Sequence, residues 1–146
     1  MPNFDYINST ELRTSLESDY SEMLMCSEAG AWKSAQVLAG SIVECLLIDY
    51  LSSSTYSGRS AKDPLKIDLA DAINTCRSEK AISDRTADLC SVIRSYRNLI
   101  HPGRALRLGE QAPNKTTCNI ALGLIELIAE EIARVRRASV GLTAAQ

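Results

Sequence analysis

The stretch from Ala31 to Leu51 constrains the fold more than any other part of this 146-residue chain. It opens with Ala31, Ala35, Ala39, Gly40 and Ser41, residues small enough to let another helix approach closely. It continues through Ile42, Val43, Cys45, Leu46, Leu47 and Ile48, apolar nearly all the way round a helical projection. A helix without a polar face belongs in an interior, so this segment predicts a central helix, and a possible centre for a dimer. Glu44 and Asp49 break the apolar run from Ile42 to Leu51, which is too short to span a bilayer. A carboxylate in such surroundings demands a partner. Glu44 is therefore read as a structural ion-pair residue, with Arg97 or Arg94 as its cation.

The remaining segments supply helices to surround it. Ser9 and Thr10 precede Glu11 as caps for a first helix over 10–28, with sparse apolar positions Leu12, Leu16, Met23 and Leu24, ended by Gly30. The central helix follows over 31–51, and then a loop from Ser52 to Lys62, rich in serine. A short helix is expected over 68–78, with Leu69, Ala72, Ile73 and Cys76 on one face. Ser83 or Asp84 caps a fourth helix over 84–101, whose inner stripe is Leu89, Val92, Ile93, Tyr96 and Ile100. Pro102-Gly103 stops it, and a loop leads to a last helix over 116–138, patterned on Ile120, Leu124, Leu127, Ile128 and Ile132. Residues 139–146 read as a frayed tail. No run has the alternation of a strand. The expectation is a single all-α domain over 1–146, a bundle of four long helices and one short one.

Composition agrees and narrows the function. Hydrophobic residues make up 45% and aromatics only 5%, so the core is built from Leu, Ile, Val and Ala, a mixture that favours helices. A net charge of -2 argues against indiscriminate binding to nucleic acid or anionic membrane, and requires any RNA site to be a local basic patch. The five cysteines show no CxxC or Cys/His spacing, so no metal site and no cofactor are expected. They read as free, mostly buried thiols of a cytoplasmic protein.

Such a patch exists. No acid interrupts residues 89–109, and Arg94, Arg97, Arg104 and Arg107 surround the single histidine, His101. With Leu89 at zero, the apolar stripe of the fourth helix centres near about -20°, and Arg94, Arg97 and His101 cluster near about 110°, at its margin. A guanidinium grips phosphoryl oxygens as a fork, and an imidazole moves a proton near neutral pH, so the pairing suits phosphate chemistry. Helix-terminal position alone also favours cations, and His101 as a helix cap with Arg97 paired to Glu44 accounts for the same residues.

The segment Arg97-Asn98-Leu99-Ile100-His101-Pro102-Gly103-Arg104, at the end of the penultimate long helix, resembles the HEPN superfamily. The run Val37-Leu38-Ala39-Gly40-Ser41-Ile42-Val43-Glu44-Cys45-Leu46-Leu47 is similar to the second helix of HEPN-like bacterial proteins. The resemblance spans most of residues 10–138, but only the Arg–Asn…His segment is specific. It implies a metal-independent endoribonuclease with a site shared across a homodimer, a toxin or a stress or defence effector, in which His101 transfers a proton, Arg97 stabilises the phosphate and Asn98 orients. Arg94, Arg104 and Arg107 would bind substrate. RNA and an antitoxin or other protein are the implied partners, with no membrane. The superfamily's usual separation of four to six residues between arginine and histidine fits Arg94 with six, whereas Arg97 has three but carries the following asparagine. Which arginine matches stays open. Inactive relatives serve as scaffolds, so a non-catalytic module binding a partner protein or nucleotide is the alternative.

Overall fold

The computed structural model describes residues 1–53 and 63–144, with side chains described to Ser139. Among these residues there are six helices and no strand: α1 (Thr10–Glu28), α2 (Trp32–Ser52), α3 (Leu69–Ser78), α4 (Asp84–Asn98), α5 (Pro102–Leu108) and α6 (Lys115–Ala144). Most of the serine-rich stretch expected to form a loop, 54–62, lies outside the described residues.

Local chemistry sets the helix starts. Ser9 Oγ accepts from the Leu12 amide at 3.2 Å, Asp68 from the Asp71 amide at 2.8 Å and Ser83 from the Thr86 amide at 3.1 Å. Each bond satisfies a donor that the first helical turn leaves without a partner. At the start of α6, Asn114 and Thr117 exchange bonds: each side-chain oxygen accepts from the other's amide at 3.0 Å. Gly30 follows α1 at φ +75°, a left-handed conformation that glycine adopts without steric cost.

α2 is the hub. It packs against α1, α3, α4 and α6, and Ile42, Val43, Leu46 and Leu47 lose all exposure to solvent there. Complete burial of such a side chain contributes about 1.5–3 kcal/mol, so these four anchor the bundle. By length and composition alone α2 could cross a membrane. Here 56% of its apolar stretch is buried against the neighbouring helices, and both its carboxylates are paired.

One of those pairs is deeply buried. Arg136 Nε on α6 donates to Asp49 Oδ2 on α2 at 2.7 Å, with side chains 3% and 6% exposed. Burial pushes the Asp49 carboxyl above its ordinary range despite the guanidinium beside it. The segment before α1 adds Phe4, Tyr6 and Ile7 to the core. It is tied down by Arg13, which donates to the Ile7 and Asp5 carbonyls, and by Arg137, which bonds Asp5 at 3.1 Å and lies over the Tyr6 ring. Phe4 meets Tyr20 edge to face with centroids 6.2 Å apart.

The structure corrects four expectations. α4 ends at Asn98 rather than 101, because the residue before a proline disfavours the helical region. Pro102 does not simply stop a helix; it occupies the first turn of α5, a sixth helix, where its missing N–H costs nothing. The last helix continues to Ala144, beyond the expected end at 138, since no proline interrupts 139–144; only 145–146 of the expected tail lie outside the described residues. The inner face of α4 is also turned. Thr86, Ala87, Cys90 and Ile93 are buried, whereas Val92 is 39% exposed and Leu89 and Tyr96 only half-buried. The true face centres near about 90° on the projection used above, which places Arg97 within it rather than at its margin.

Candidate functional site

Arg97 comes from the last turn of α4 and lies across α2. Its stem runs over Gly40: a Cβ built there would sit 2.4 Å from Arg97 Cδ, 2.8 Å from Cγ and 2.9 Å from Cβ. Only glycine admits so close an approach. Glu44 stands one turn further along the same face of α2, and Arg97 Nη1 donates to its Oε2 at 2.8 Å. Thus Gly40 supplies the groove and Glu44 the anchor. The pair is not sealed: the two side chains are 29% and 32% exposed.

His101 lies beyond the helix on which its face was read. The chain tightens after Asn98 through three short-range bonds, from the amides of Leu99, Ile100 and His101 to the carbonyls of Tyr96, Arg97 and Asn98, at 3.1–3.2 Å. His101 then becomes the N-cap of α5; its carbonyl accepts from the Arg104 and Ala105 amides at 3.1 Å, and its imidazole makes no capping bond. The ring is therefore an exposed group at the α4–α5 junction, not a structural cap. Asn98 is half-buried, and its main-chain oxygen holds the His101 amide.

The other cations divide by element. Arg94 is half-buried on α4; Arg104, half-buried, and Arg107, exposed, belong to α5. Among the described residues the ion pairs join Arg77 to Asp88, Arg85 to Glu131, Arg97 to Glu44, Arg136 to Asp49 and Arg137 to Asp5. Arg94, Arg104 and Arg107 are absent from that set. Within one stretch of sequence, from the last turns of α4 through α5, the chain thus carries an anchored guanidinium, an exposed imidazole and three arginines that form no ion pair among the described residues.

A feature the sequence reading missed adjoins this stretch. A pocket of about 530 Å³ opens between α5 and the segment leading into α6. Its walls include Leu99, Pro102 and Leu106, the last 83% exposed. The only signal in the sequence was a pair of leucines, Leu106 and Leu108, in a stretch read as loop. Arg94, Arg97 and His101 do not line the pocket.

Four of the five thiols are buried and Cys26 is half-buried; all are free. Burial pushes Cys45 up to about 11, and Cys76 and Cys90 to about 12. These are inert core groups, not nucleophiles. Among the described residues no three of His, Cys, Asp or Glu gather closely enough to hold a metal ion. In comparisons with protein families, curated proteins and solved structures, nothing matches this chain.

Proposed function

We propose that this chain is a HEPN-like endoribonuclease that cleaves RNA without a metal, using His101 for proton transfer and Arg97 for the charge developing on phosphate. The observation that carries the reading is the contrast between Arg97, fixed by Gly40 and Glu44, and His101, exposed four residues later at the helix break. In-line attack of a ribose 2′-hydroxyl on its neighbouring phosphate requires a preorganised cation for the phosphate and a group that takes the proton, the roles proposed for Arg97 and His101. The hydroxyl proton passes to imidazole nitrogen, the new P–O bond forms, and the 5′-oxygen departs with a proton from an acid. The products are a 2′,3′-cyclic phosphate and a 5′-hydroxyl end. Asn98 orients the histidine through the main-chain bond between them, while Arg94, Arg104 and Arg107 hold flanking phosphates.

One histidine per chain cannot be base and acid at once, so a homodimer pairing two His101 residues completes the chemistry. In the cell this activity suits a cytoplasmic toxin or defence effector restrained by an antitoxin.

A second reading has its own observation. Glu44 neutralises Arg97, which leaves the fork partly occupied before any phosphate arrives. A non-catalytic helical module that binds a partner protein or nucleotide needs no free fork.

Cleavage of a broad RNA panel in EDTA separates the two. His101→Ala should lower the rate by about 10²–10⁴-fold with the fold intact. Arg97→Lys should not restore what Arg97→Ala loses, because a point charge cannot hold two oxygens as a fork does. Wild-type protein that cuts no RNA on that panel, with or without divalent metal, fits only the second reading.

A further inference from the structure

We propose that the pocket beside His101 is a nucleobase subsite that takes guanine in preference to the other bases. The inference rests on the RNA-directed reading above and adds which part of the strand the protein reads.

The pocket's place in the chain is the first argument. Leu99 precedes His101 by two residues and Pro102 follows it directly, and both line the pocket. A base seated there brings its own sugar and phosphate to the α4–α5 edge, where Arg104 and Arg107 form no ion pair among the described residues.

The lining is the second. Leu99, Pro102, Ala105, Leu106 and Pro113 present apolar surface on which the flat face of a base loses water. No aromatic ring contributes, so binding comes from apolar contact rather than stacking, and selectivity must come from the polar groups. Three sources of these are present. Glu110 and Gln111 line the pocket, and neither side chain is engaged in a hydrogen bond or ion pair among the described residues. The backbone amides of Gln111 and Ala112 likewise carry no hydrogen bond among those residues, unlike the Glu110 amide, which is spent on the Ala105 carbonyl at 3.2 Å. Lys33 adds a cation at the α2 side.

The chemistry of these groups selects the base. An ionised carboxylate only accepts hydrogen bonds, and its two oxygens can accept side by side. Guanine alone offers two adjacent donors on its Watson–Crick edge, N1–H and the 2-amino group, with O6 as an acceptor beside them. The Gln111 and Ala112 amides are donors suited to that O6. Adenine and cytosine set a ring acceptor next to their amino group, and uracil flanks its single N–H with two carbonyls; each of these meets a carboxylate with repulsion at one oxygen. Single-stranded RNA is read on this edge because its bases are free to leave the stack.

The test is an NMR titration of the full chain with the four ribonucleoside 5′-monophosphates, which does not depend on cleavage. Guanosine monophosphate should shift the amides of residues 99–113 saturably and bind about tenfold more tightly than the others, the discrimination expected of one good base-edge contact. Glu110→Gln should abolish that preference. Ala105→Trp should block all four nucleotides by filling the pocket while the helical circular dichroism stays unchanged. Absence of shifts, equal affinity for all four nucleotides, a preference that survives Glu110→Gln, or occupancy only by apolar peptides would overturn the assignment. A protein that cuts RNA but does not bind guanosine monophosphate loses the subsite alone. One that binds it through Glu110 yet cuts no RNA keeps the subsite and loses the nuclease.

Discussion

Replacing Asp49 by alanine should be among the most damaging single changes in this protein. Arg136 is 3% exposed and its Nε is bonded to Asp49 at 2.7 Å, so the substitution leaves a guanidinium in the interior without its counter-charge. The intact pair contributes little net stability, since burial has already raised the Asp49 carboxyl and withdrawing both charges from water offsets their attraction. Breaking one half is a different matter and costs about 3–5 kcal/mol. That is a large share of the roughly 5–15 kcal/mol that holds a domain together, and it corresponds to a Tm lower by about 10–20 °C for a chain of this length. Urea unfolding followed by far-ultraviolet circular dichroism measures it. Asp49→Ala combined with Arg136→Met, which removes both charges and keeps apolar volume, should recover most of the loss. A single-variant cost under about 1 kcal/mol would refute the reasoning, as would a double variant no more stable than the single one.

Four further outcomes follow from the packing. Gly40→Ala should cost about 1–3 kcal/mol in chemical denaturation, because the clash extends to Arg97 Cβ at 2.9 Å, which cannot swing aside; full stability would show that α4 can shift freely. Glu44→Ala, by contrast, should cost only about 1 kcal/mol or less, since both partners are nearly a third exposed and water screens them; a loss as large as that of Asp49→Ala would mean the pair is sealed in solution. A thiol reagent should label Cys26 in the native protein and the other four cysteines only on unfolding. Stability should also fall as pH rises from about 9 towards 11. Cys45, Cys76 and Cys90 stay protonated in the fold while the unfolded chain releases their protons, so the unfolded state binds fewer protons and gains. A flat pH profile in that range would contradict their burial.

Much of the bundle is legible in the sequence because helix-making signals are local. Caps such as Ser9, Asp68 and Ser83 act within three residues, and the apolar density of α2 marks it as the central helix of the bundle. The rotated face of α4 was not legible, because Leu89, Val92 and Tyr96 drew the projection to their side, whereas Thr86, Ala87 and Cys90 are small and carry less apolar bulk. They are buried through close approach to neighbouring helices rather than through their own bulk. The Asp49–Arg136 pair joins residues 87 positions apart, and nothing near either one announces the other. The Phe4–Ile7 segment is short and aperiodic, so its place in the core is a tertiary fact. At the candidate site the residue types could be read, but the helical projection failed at His101. It assumed a helix that Pro102 had already ended at Asn98.

The two carboxylates of α2 have a consequence for how many ways this chain can be assembled. A helix that is apolar on every side can be turned about its axis or slid past its neighbours with little loss of buried area, so shape alone discriminates poorly among arrangements. Glu44 and Asp49 stand about 140° apart around α2, and each is answered by an arginine on a different helix, α4 and α6. A slip of one residue would swing both carboxylates by about 100° at once and put a side chain where Gly40 receives the Arg97 stem. Two misplaced charges and a steric collision then count against every near-alternative. The pairs that contribute little to how firmly the fold holds thereby decide how few other arrangements compete with it.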